Sequence, residues 1–409
     1  MFGKFGRLRK KASVMIATSA LTLTLGFSQV ALAGFAPAIN APGDKCMNFS
    51  GYAYVTGNSN YNLEVFLDKN AATGLDAGYF KVYDTNSSSY NTLTFYGTSS
   101  TKPTNASWYP TGTCALLNIA NLVANHEYKV TISHMVYANN GFTVGQMMNN
   151  QDFVFYFQEP DSNGNYTGTP IVTAYPANGA TNVAWEGNAL MTSDRPMTID
   201  SGNQGSFQKQ VSGVYSENLD STFDGNAVAH AYGYTRQAME NTGDTWFYPE
   251  TAGGTASVSY NLNEPGVDTT GMNFKLQAPQ LDSSSGNVSS FTNSFITSQY
   301  DVPAKLPTPT VATGTNSGEI NVTVTAGSGS DYPIASDYNF YVCSDKYFYN
   351  GTATKVNNTP YHNTNSSFTY TITGLTPGAS YYAAVVPVIS SGYGEGGYSP
   401  ASVQVMAHS

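Results

Sequence analysis

The stretch 367–388 constrains the fold of this 409-residue chain more than any other. Two runs in it alternate apolar with polar residues, namely Phe368, Tyr370 and Ile372, then Tyr381, Ala383 and Val385. Alternation at a period of two predicts strands with one buried face. A corner containing Leu375, Pro377 and Gly378 joins the runs, and its spacing lets Tyr381 hydrogen-bond back to the corner backbone. The stretch therefore predicts two strands of a β-sandwich.

The Leu-x-Pro-Gly-x-x-Tyr pattern of this corner resembles the signature of fibronectin type III domains. The resemblance implies a fibronectin type III sandwich over residues 307–409. In it the four residues of the pattern, Leu375, Pro377, Gly378 and Tyr381, are structural. Such domains usually carry a core Trp where Val324 stands, so we expect neighbouring aromatic side chains to fill that layer.

Two stretches upstream resemble S-layer-type bacterial Ig-like domains. In the first, residues 63–69, 79–84 and 122–132 follow the order of that family's strands, and the Phe-rich run 153–157 corresponds to its closing strand. Departures are Leu67 and Asn70, where the family has Phe and Pro. The resemblance implies an Ig-like sandwich here.

The second Ig-like copy begins at 169–183, which carries the family's Pro-x-x-Gly-Ala-x-x-Val pattern. Residues 189–197 resemble its next strand, and 282–287 with the strand after it resemble its last turn and closing strand. The segment 201–262 is longer than the family pattern, so we predict an insertion or an elaborated hairpin there.

The predicted fold class is all-β, with tandem Ig-like sandwiches and a C-terminal fibronectin type III sandwich arranged in series as a rod. Strand-like runs separated by turn signals support this class. The predicted parts are a signal peptide (1–33), a leader linker (34–45), Ig-like sandwich 1 (46–158), a linker (159–168), Ig-like sandwich 2 (169–299), a linker (300–306) and the fibronectin type III domain (307–409).

Residues 1–33 have the pattern of a secretory signal peptide. Five basic residues and no acidic one precede an apolar run at 12–27, and Ala31 and Ala33 form a small-x-small cleavage site. An uncleaved membrane anchor is the alternative, but the run is short and contains Ser and Thr. We expect no integral membrane segment after cleavage.

The composition favours an exported β-protein with an acidic surface. Hydrophobic residues make up 41% and charged residues only 11% of the chain, so polarity comes from Asn, Ser, Thr, Gly and 30 tyrosines. Without the leader, 12 basic residues face 27 acidic ones, a net charge of −15. This charge argues against nucleic acid and anionic membranes as partners, because both need Lys and Arg clusters.

Export permits disulfides, and the chain has three cysteines. Cys46 and Cys114 lie in the same predicted sandwich and could pair, although sequence alone does not show their proximity. Cys343 is then unpaired or links to another chain.

The sequence offers no complete set of catalytic parts, so we expect a protein that is not an enzyme. Residues 327–330 resemble part of a nucleophile elbow but lie in a predicted hairpin loop. No His-x-x-x-His pair and no Cys-x-x-Cys-His motif occur. The rival interpretation is a hydrolase whose site lies in 201–262.

Two kinds of ligand site are candidates. Asp161, Asn163 and Asn165 place oxygen donors at alternate positions, as a calcium site would, although a polar turn explains the same residues. Calcium is therefore the one possible cofactor. Tyr347, Tyr349 and Trp246 could stack on sugar rings, with strand packing as the alternative.

The sequence predicts a non-catalytic, secreted protein associated with the cell surface, with a structural or adhesive function and a possible capacity to assemble into a layer or filament. Expected partners are cell-surface or matrix proteins, glycans or further copies of the chain. The alternative is a carbohydrate-binding accessory protein of an extracellular polysaccharide-degrading system.

Overall fold

A computed structural model shows an all-β protein built from antiparallel strands. Within the described residues the helical element is a single 3-10 turn, Ala77–Tyr79, and no helix is long and apolar enough to cross a membrane. All of these residues belong to one compact unit, Ala38–Ser409. The structure describes residues 49–54, 60–67, 74–99, 113–137, 150–175, 177–181, 188–195, 198–199, 206–211, 214–220, 247–248, 255–261, 273–277, 281–283, 286–288, 292–296, 306–327, 334–388 and 396–409.

Several predictions from the sequence fall on residues outside these ranges. They are the signal peptide at 1–33, the leader linker at 34–45, Cys46 and Trp246. They stay predictions.

The first sandwich has two four-stranded sheets, ordered β1-β2-β6-β5 and β4-β3-β7-β8. Buried and partly exposed residues alternate along β7, and Val130 pairs with Phe155 of β8. Tyr52 of one sheet stacks on Phe155 of the other at 4.1 Å between ring centroids, so the two sheets share a core. The strands are β1 (Phe49–Tyr54), β2 (Leu63–Leu67), β3 (Phe80–Asp84), β4 (Ser89–Tyr90), β5 (Leu93–Ser99), β6 (Thr113–Ile119), β7 (Glu127–Ile132) and β8 (Phe153–Gln158).

The middle of the chain forms three sheets, ordered β14-β15-β10-β9, β11-β17-β18 and β13-β12-β16-β19. Within the segment 201–262, β12 pairs with β16 and β15 pairs with β10, so the described part of this segment belongs to the sheets. The strands are β9 (Val172–Tyr175), β10 (Asn188–Ser193), β11 (Thr198–Ile199), β12 (Ser206–Val211), β13 (Val214–Asp220), β14 (Phe247–Tyr248), β15 (Thr255–Asn261), β16 (Asn273–Gln277), β17 (Leu281–Ser283), β18 (Gly286–Val288) and β19 (Thr292–Ile296).

A buried ion pair lies where the first sandwich meets the middle of the chain. Arg195 and Asp194 bond at 2.6 Å with both side chains almost fully buried. The Arg195 guanidinium also donates to the carbonyls of Thr167 and Gly168, which ties down the predicted linker 159–168. Burial, and after it the neighbouring Asp194 carboxylate, raise the pKa of Glu127 beside this pair.

The C-terminal sandwich, called the third sandwich below, has the strand order β20-β21-β25 in one sheet and β23-β22-β26-β27 in the other, with β24 also paired to β22. One hydrophobic cluster contains residues of both sheets, so they form a β-sandwich, the fold class that the sequence predicts. The strands are β20 (Thr310–Thr313), β21 (Ile320–Thr325), β22 (Asp337–Cys343), β23 (Thr354–Lys355), β24 (Tyr361–His362), β25 (Ser367–Ile372), β26 (Ser380–Val388) and β27 (Val405–Met406).

Aromatic side chains surround the position where this family usually has a Trp. Val324 is 1% exposed and pairs across the sheet with Phe368. The Phe368 ring lies 4.9 Å from that of Tyr338, and Phe340 stacks on Tyr370 at 4.1 Å. These rings supply the buried area that the missing indole would provide.

The corner before β26 is closed by its own backbone and by one tyrosine. The Tyr381 hydroxyl accepts a hydrogen bond from the Thr376 N–H at 3.2 Å, which is the bond that the spacing predicts. Gly378 has a φ of 74°, a left-handed conformation that glycine adopts without steric cost. The Leu375 N–H donates to the Gly318 carbonyl and fastens the corner to the neighbouring loop.

We expect Tyr381→Phe to lower the free energy of unfolding by about 0.5–1.5 kcal/mol, because the Thr376 N–H loses its acceptor. Urea unfolding followed by tyrosine fluorescence would measure this change. Tyr370→Phe is the control, since no hydrogen bond of the Tyr370 hydroxyl occurs among the described residues. Equal effects of the two variants would contradict the structural part that we assign to the corner.

Candidate functional site

The aromatic loop 346–350, which follows β22, packs against the first sandwich. Phe348 is fully buried and Tyr349 is 4% exposed. Phe348 has a φ of 48°, which costs a non-glycine residue about 1–2 kcal/mol. Burial of its ring contributes about 1.5–3 kcal/mol and offsets that cost. We call this loop, together with the residues of the first sandwich that it contacts, the clasp.

One side of the clasp is centred on Asp76, just before the 3-10 turn. The Lys346 ammonium lies 2.7 Å from one carboxylate oxygen of Asp76, and the Tyr347 hydroxyl donates to the other at 2.8 Å. The Tyr349 hydroxyl donates to the Gly78 carbonyl at 2.8 Å. The side chains of Lys346 and Tyr347 thus bond to Asp76 of the first sandwich, and the side chain of Tyr349 bonds to Gly78.

Gly78 allows this close approach because it has no side chain. A Cβ atom at this position would lie 1.9 Å from Cζ of Tyr347, well inside van der Waals contact. Any other residue at position 78 would therefore move the Tyr347 ring away from Asp76.

A second set of hydrogen bonds holds the other side of the loop. The Ser133 hydroxyl donates to the Tyr347 carbonyl at 2.5 Å, and the Asn350 N–H donates to the Asp152 carboxylate at 2.8 Å. The other carboxylate oxygen of Asp152 accepts the His134 N–H and lies 2.7 Å from His134 Nδ1. Asp152 is thus held in place by His134 of its own sandwich while it also accepts the hydrogen bond from the loop.

The clasp also has an apolar component. Buried residues of both sandwiches form one continuous hydrophobic cluster. The third sandwich contributes Cys343, Phe348, Ala384, Val386 and Tyr398 to it, and the first contributes the core residues of its sheets with Met135 and Val136. Two sandwiches that share a core are packed on each other and not merely tethered.

A cation–π contact and an edge-to-face pair of aromatic rings also join the loop 346–350 to the first sandwich. The Lys81 ammonium lies 3.6 Å from the centroid of the Tyr349 ring, a cation–π geometry. Tyr79 meets Tyr347 edge to face at 4.8 Å. Burial raises the pKa of Tyr347, and its hydrogen bond to Asp76 adds to the rise, so the phenol stays a donor at neutral pH.

The ionisation of Asp76 is governed by opposing effects. Partial burial favours its neutral form, but the hydrogen bonds from Lys346 and Tyr347 outweigh burial and hold the pKa of Asp76 below its ordinary value of 3.8. Asp76 is therefore charged at neutral pH and attracts Lys346.

These contacts correct one prediction from the sequence. A rod in which only consecutive sandwiches touch is wrong, because Lys346 and Asp76 are 270 positions apart and form an ion pair. Sequence patterns report on contacts within a strand or a turn, so they contain no signal for this one.

The tyrosines predicted to stack on sugars have different surroundings from those expected. Tyr347 and Tyr349 lie within the clasp, and Lys81 already occupies a position over the Tyr349 ring. The third predicted residue, Trp246, lies outside the described residues. Sugar binding by this set stays a prediction that the geometry of the two tyrosines does not favour.

The predicted disulfide between Cys46 and Cys114 stays a prediction, because only Cys114 is among the described residues. Cys114 is a buried free cysteine, and Cys46 lies outside the described residues. Cys343 is likewise a buried free cysteine, and its Sγ lies 3.5 Å from the Thr352 hydroxyl oxygen. Burial of Cys343 within the clasp does not favour a link to another chain.

The turn proposed for calcium is held by its own hydrogen bonds. The Asp161 carboxylate accepts the N–H groups of Asn163 and Asn165, both at 2.8 Å, and the Asn165 amide at 3.2 Å. These bonds lower the pKa of Asp161 without any ion. In the described residues no group of three or more His, Cys, Asp and Glu side chains could hold a metal ion. Calcium binding at this turn stays a prediction.

Three His–Asp pairs are the described groups closest to acid–base chemistry. His134 pairs with Asp152 beneath the clasp, and its side chain is 3% exposed. His126 pairs with Asp84, whose carboxylate also accepts the N–H groups of the following turn. The third pair is His362 with Asp337. The first two pairs brace backbone segments.

Comparison with known proteins gives low similarity throughout. No protein-family model and no curated protein matches the chain. A structure of the chicken CNTN1 FN1–FN3 domains has 12% identity and a TM-score of 0.24, covering 88% of this chain and 99% of that one. A fibronectin type III domain from human KIAA0970 protein has 17% identity and a TM-score of 0.20, covering 26% of this chain and 76% of that one. The chicken interferon gamma receptor alpha chain has 10% identity and a TM-score of 0.22, covering 59% and 100% respectively. The all-β assignment therefore rests on the strands and pairings of this chain.

We expect Gly78→Ala to destabilise the protein by about 1–3 kcal/mol, because the new methyl group displaces the Tyr347 ring from Asp76. Denaturant unfolding would give the free energy, and hydrogen exchange would show faster exchange at 346–350. In a Tyr347→Ala background the same glycine substitution should cost almost nothing. An equal cost in both backgrounds would contradict the clasp geometry.

The lowered pKa of Asp76 makes the clasp sensitive to acid. Its ionic contribution is fully present above the ordinary value of 3.8 and is lost as pH falls through the lower pKa of the folded state. The pair is about 40% exposed, so this contribution is about 1 kcal/mol or less. We expect the difference in melting temperature between the native protein and Asp76→Asn to be constant from about pH 7 to about pH 5 and to shrink below about pH 4. Lys346→Met should remove most of this pH dependence, and a difference that grows in acid would refute the assignment.

Proposed function

We propose that the chain is a non-catalytic, exported protein of the cell surface with a structural or adhesive function. The clasp is the observation that carries this proposal. It joins two sandwiches that are remote in the sequence through a shared hydrophobic cluster and two sets of hydrogen bonds. A unit of this kind presents loops and sheet edges from a rigid base, which suits a scaffold.

The chemistry of the polar side chains supports the same proposal. The His134–Asp152 pair is buried beneath the clasp, and the Asp194–Arg195 pair is buried at the junction with the middle of the chain. The hydrogen bonds of these groups hold segments of the chain together. The leader pattern at 1–33 supports export, and the acidic composition supports a solvated exterior.

Assembly with further copies is the finer part of the proposal. Within the described residues of the first sandwich, β4 and β5 are both outer strands of their sheets. Outer strands can pair with a neighbouring chain. A clasp that fixes the first and third sandwiches would hold such edges in a constant relative position, which a regular layer or filament needs.

Localisation of the tagged full chain, together with electron microscopy of purified protein, tests the proposal. We expect immunogold label on the outside of the cell, and ordered layers or filaments in the purified sample. Lys346→Asp, which places a second carboxylate beside Asp76, should leave export intact and reduce the order of the assemblies. Asp76→Lys combined with Lys346→Asp should restore it.

Two results would overturn the proposal. Label that stays inside the cell would refute export. A purified chain that stays monomeric at high concentration, and does not retain the tagged protein on cells, would refute both the structural and the adhesive function.

A further inference from the structure

The outer strand β25 of the third sandwich lacks the features that usually protect a sheet edge. Natural proteins protect outer strands with charged residues, proline, bulges or short length, because an open edge can pair with another chain. β25 is six residues long, and its register with β21 has no shift. It contains no proline, and no Asp, Glu, Lys or Arg occurs anywhere from 356 to 394. Its edge is therefore continuous and uncharged.

The other outer strands of the first and third sandwiches, as far as the structure describes them, are each protected. β1 and β5 contain register shifts, and β4, β23, β24 and β27 have two residues each. β20 has four residues and is directly preceded by Pro309. On the outer side of β8, the Tyr52 hydroxyl donates to the Tyr156 carbonyl. The Gln158 N–H of the same strand donates to the Asp194 carbonyl. This comparison singles out β25.

Alternate backbone groups of β25 face the open side of the sheet. The Ala326 N–H donates to the Ser366 carbonyl, so the even-numbered residues that follow form the hydrogen-bonded pairs with β21. The N–H and C=O groups of Ser367, Thr369 and Thr371 therefore point outward. Among the described residues, no strand and no other hydrogen-bonding group meets them. All three residues are exposed. The occupant that such a row of donors and acceptors fits is another β-strand.

We propose that β25 pairs antiparallel with β25 of a second copy of this chain. This contact is a specific form of the assembly proposed above and rests on it. A two-fold axis at Thr369 places this residue opposite itself, and Ser367 opposite Thr371. Each of the three residues then donates one backbone hydrogen bond across the axis and accepts one. The three-stranded sheets of the two copies become one continuous sheet.

The side chains of β25 are complementary to themselves in this register. On the solvent face, hydroxyl groups lie opposite hydroxyl groups, and cross-strand pairs of Thr and Ser are favourable. The Thr369 hydroxyl lies 2.9 Å from that of Thr323, so its own sheet already orients it. On the core side, Phe368 lies opposite Tyr370, which is a favourable aromatic pair.

Charge also favours a second copy at this edge. The chain is acidic, and its copies repel one another over most of their surfaces. The uncharged stretch 356–394 lets two copies meet without placing like charges opposite each other. A segment of a different protein is the other occupant, and a native chain that stays monomeric would point to it.

Sedimentation of the full-length protein over a series of concentrations tests this contact. We expect the native chain to form dimers. Thr369→Lys should raise the dissociation constant of the dimer at least tenfold, because it places two ammonium groups opposite each other. Thr310→Lys is the matched control, since Thr310 is an exposed threonine on β20, the other outer strand of the same sheet. This variant should dimerise like the native chain, and both variants should melt within a few degrees of it.

A cross-link tests the register and does not depend on the lysine variant. Residues directly opposite each other in a hydrogen-bonded antiparallel pair have Cα atoms about 5.5 Å apart, which a disulfide can span. We expect Thr369→Cys to form covalent dimers under mild oxidation. Thr310→Cys should form no more of them than the native chain does.

Three results would each overturn the β25 contact. They are a native chain that stays monomeric throughout the series, a folded Thr369→Lys variant that dimerises like the native chain, and equal cross-linking of Thr369→Cys and Thr310→Cys. Layers or filaments that persist in Thr369→Lys would refute this contact and leave assembly through another edge intact. The localisation experiment tests export separately.

Discussion

The packing of one aromatic loop against a glycine of a distant sandwich is the contact on which the arrangement of this chain depends. The Tyr347 ring of the loop 346–350 occupies the space that Gly78, which has no side chain, leaves open. Once the ring is in place, its hydroxyl meets Asp76 and the loop carbonyl meets Ser133. The absence of a side chain at Gly78 thus permits the hydrogen bond between Tyr347 and Asp76.

The fold class could be predicted from the sequence because it depends on local patterns. Alternation in 367–388 predicts β25 and β26, and the corner spacing predicts the bond between Tyr381 and Thr376. The clasp could not be predicted in this way. The sequence singles out Tyr347 and Tyr349 as aromatic residues in a loop, but their exposure depends on a surface some 270 positions away.

The clasp also has a mechanical consequence. Tension applied between the first sandwich and the C-terminus would pass directly from residues 76–78 and 152 to residues 346–350, bypassing the middle of the chain. The bonds of Asp76, Gly78 and Asp152 would bear this load side by side and not in sequence. The strands from β9 to β19 would bear little of this load while the clasp holds, so they form a reserve of length.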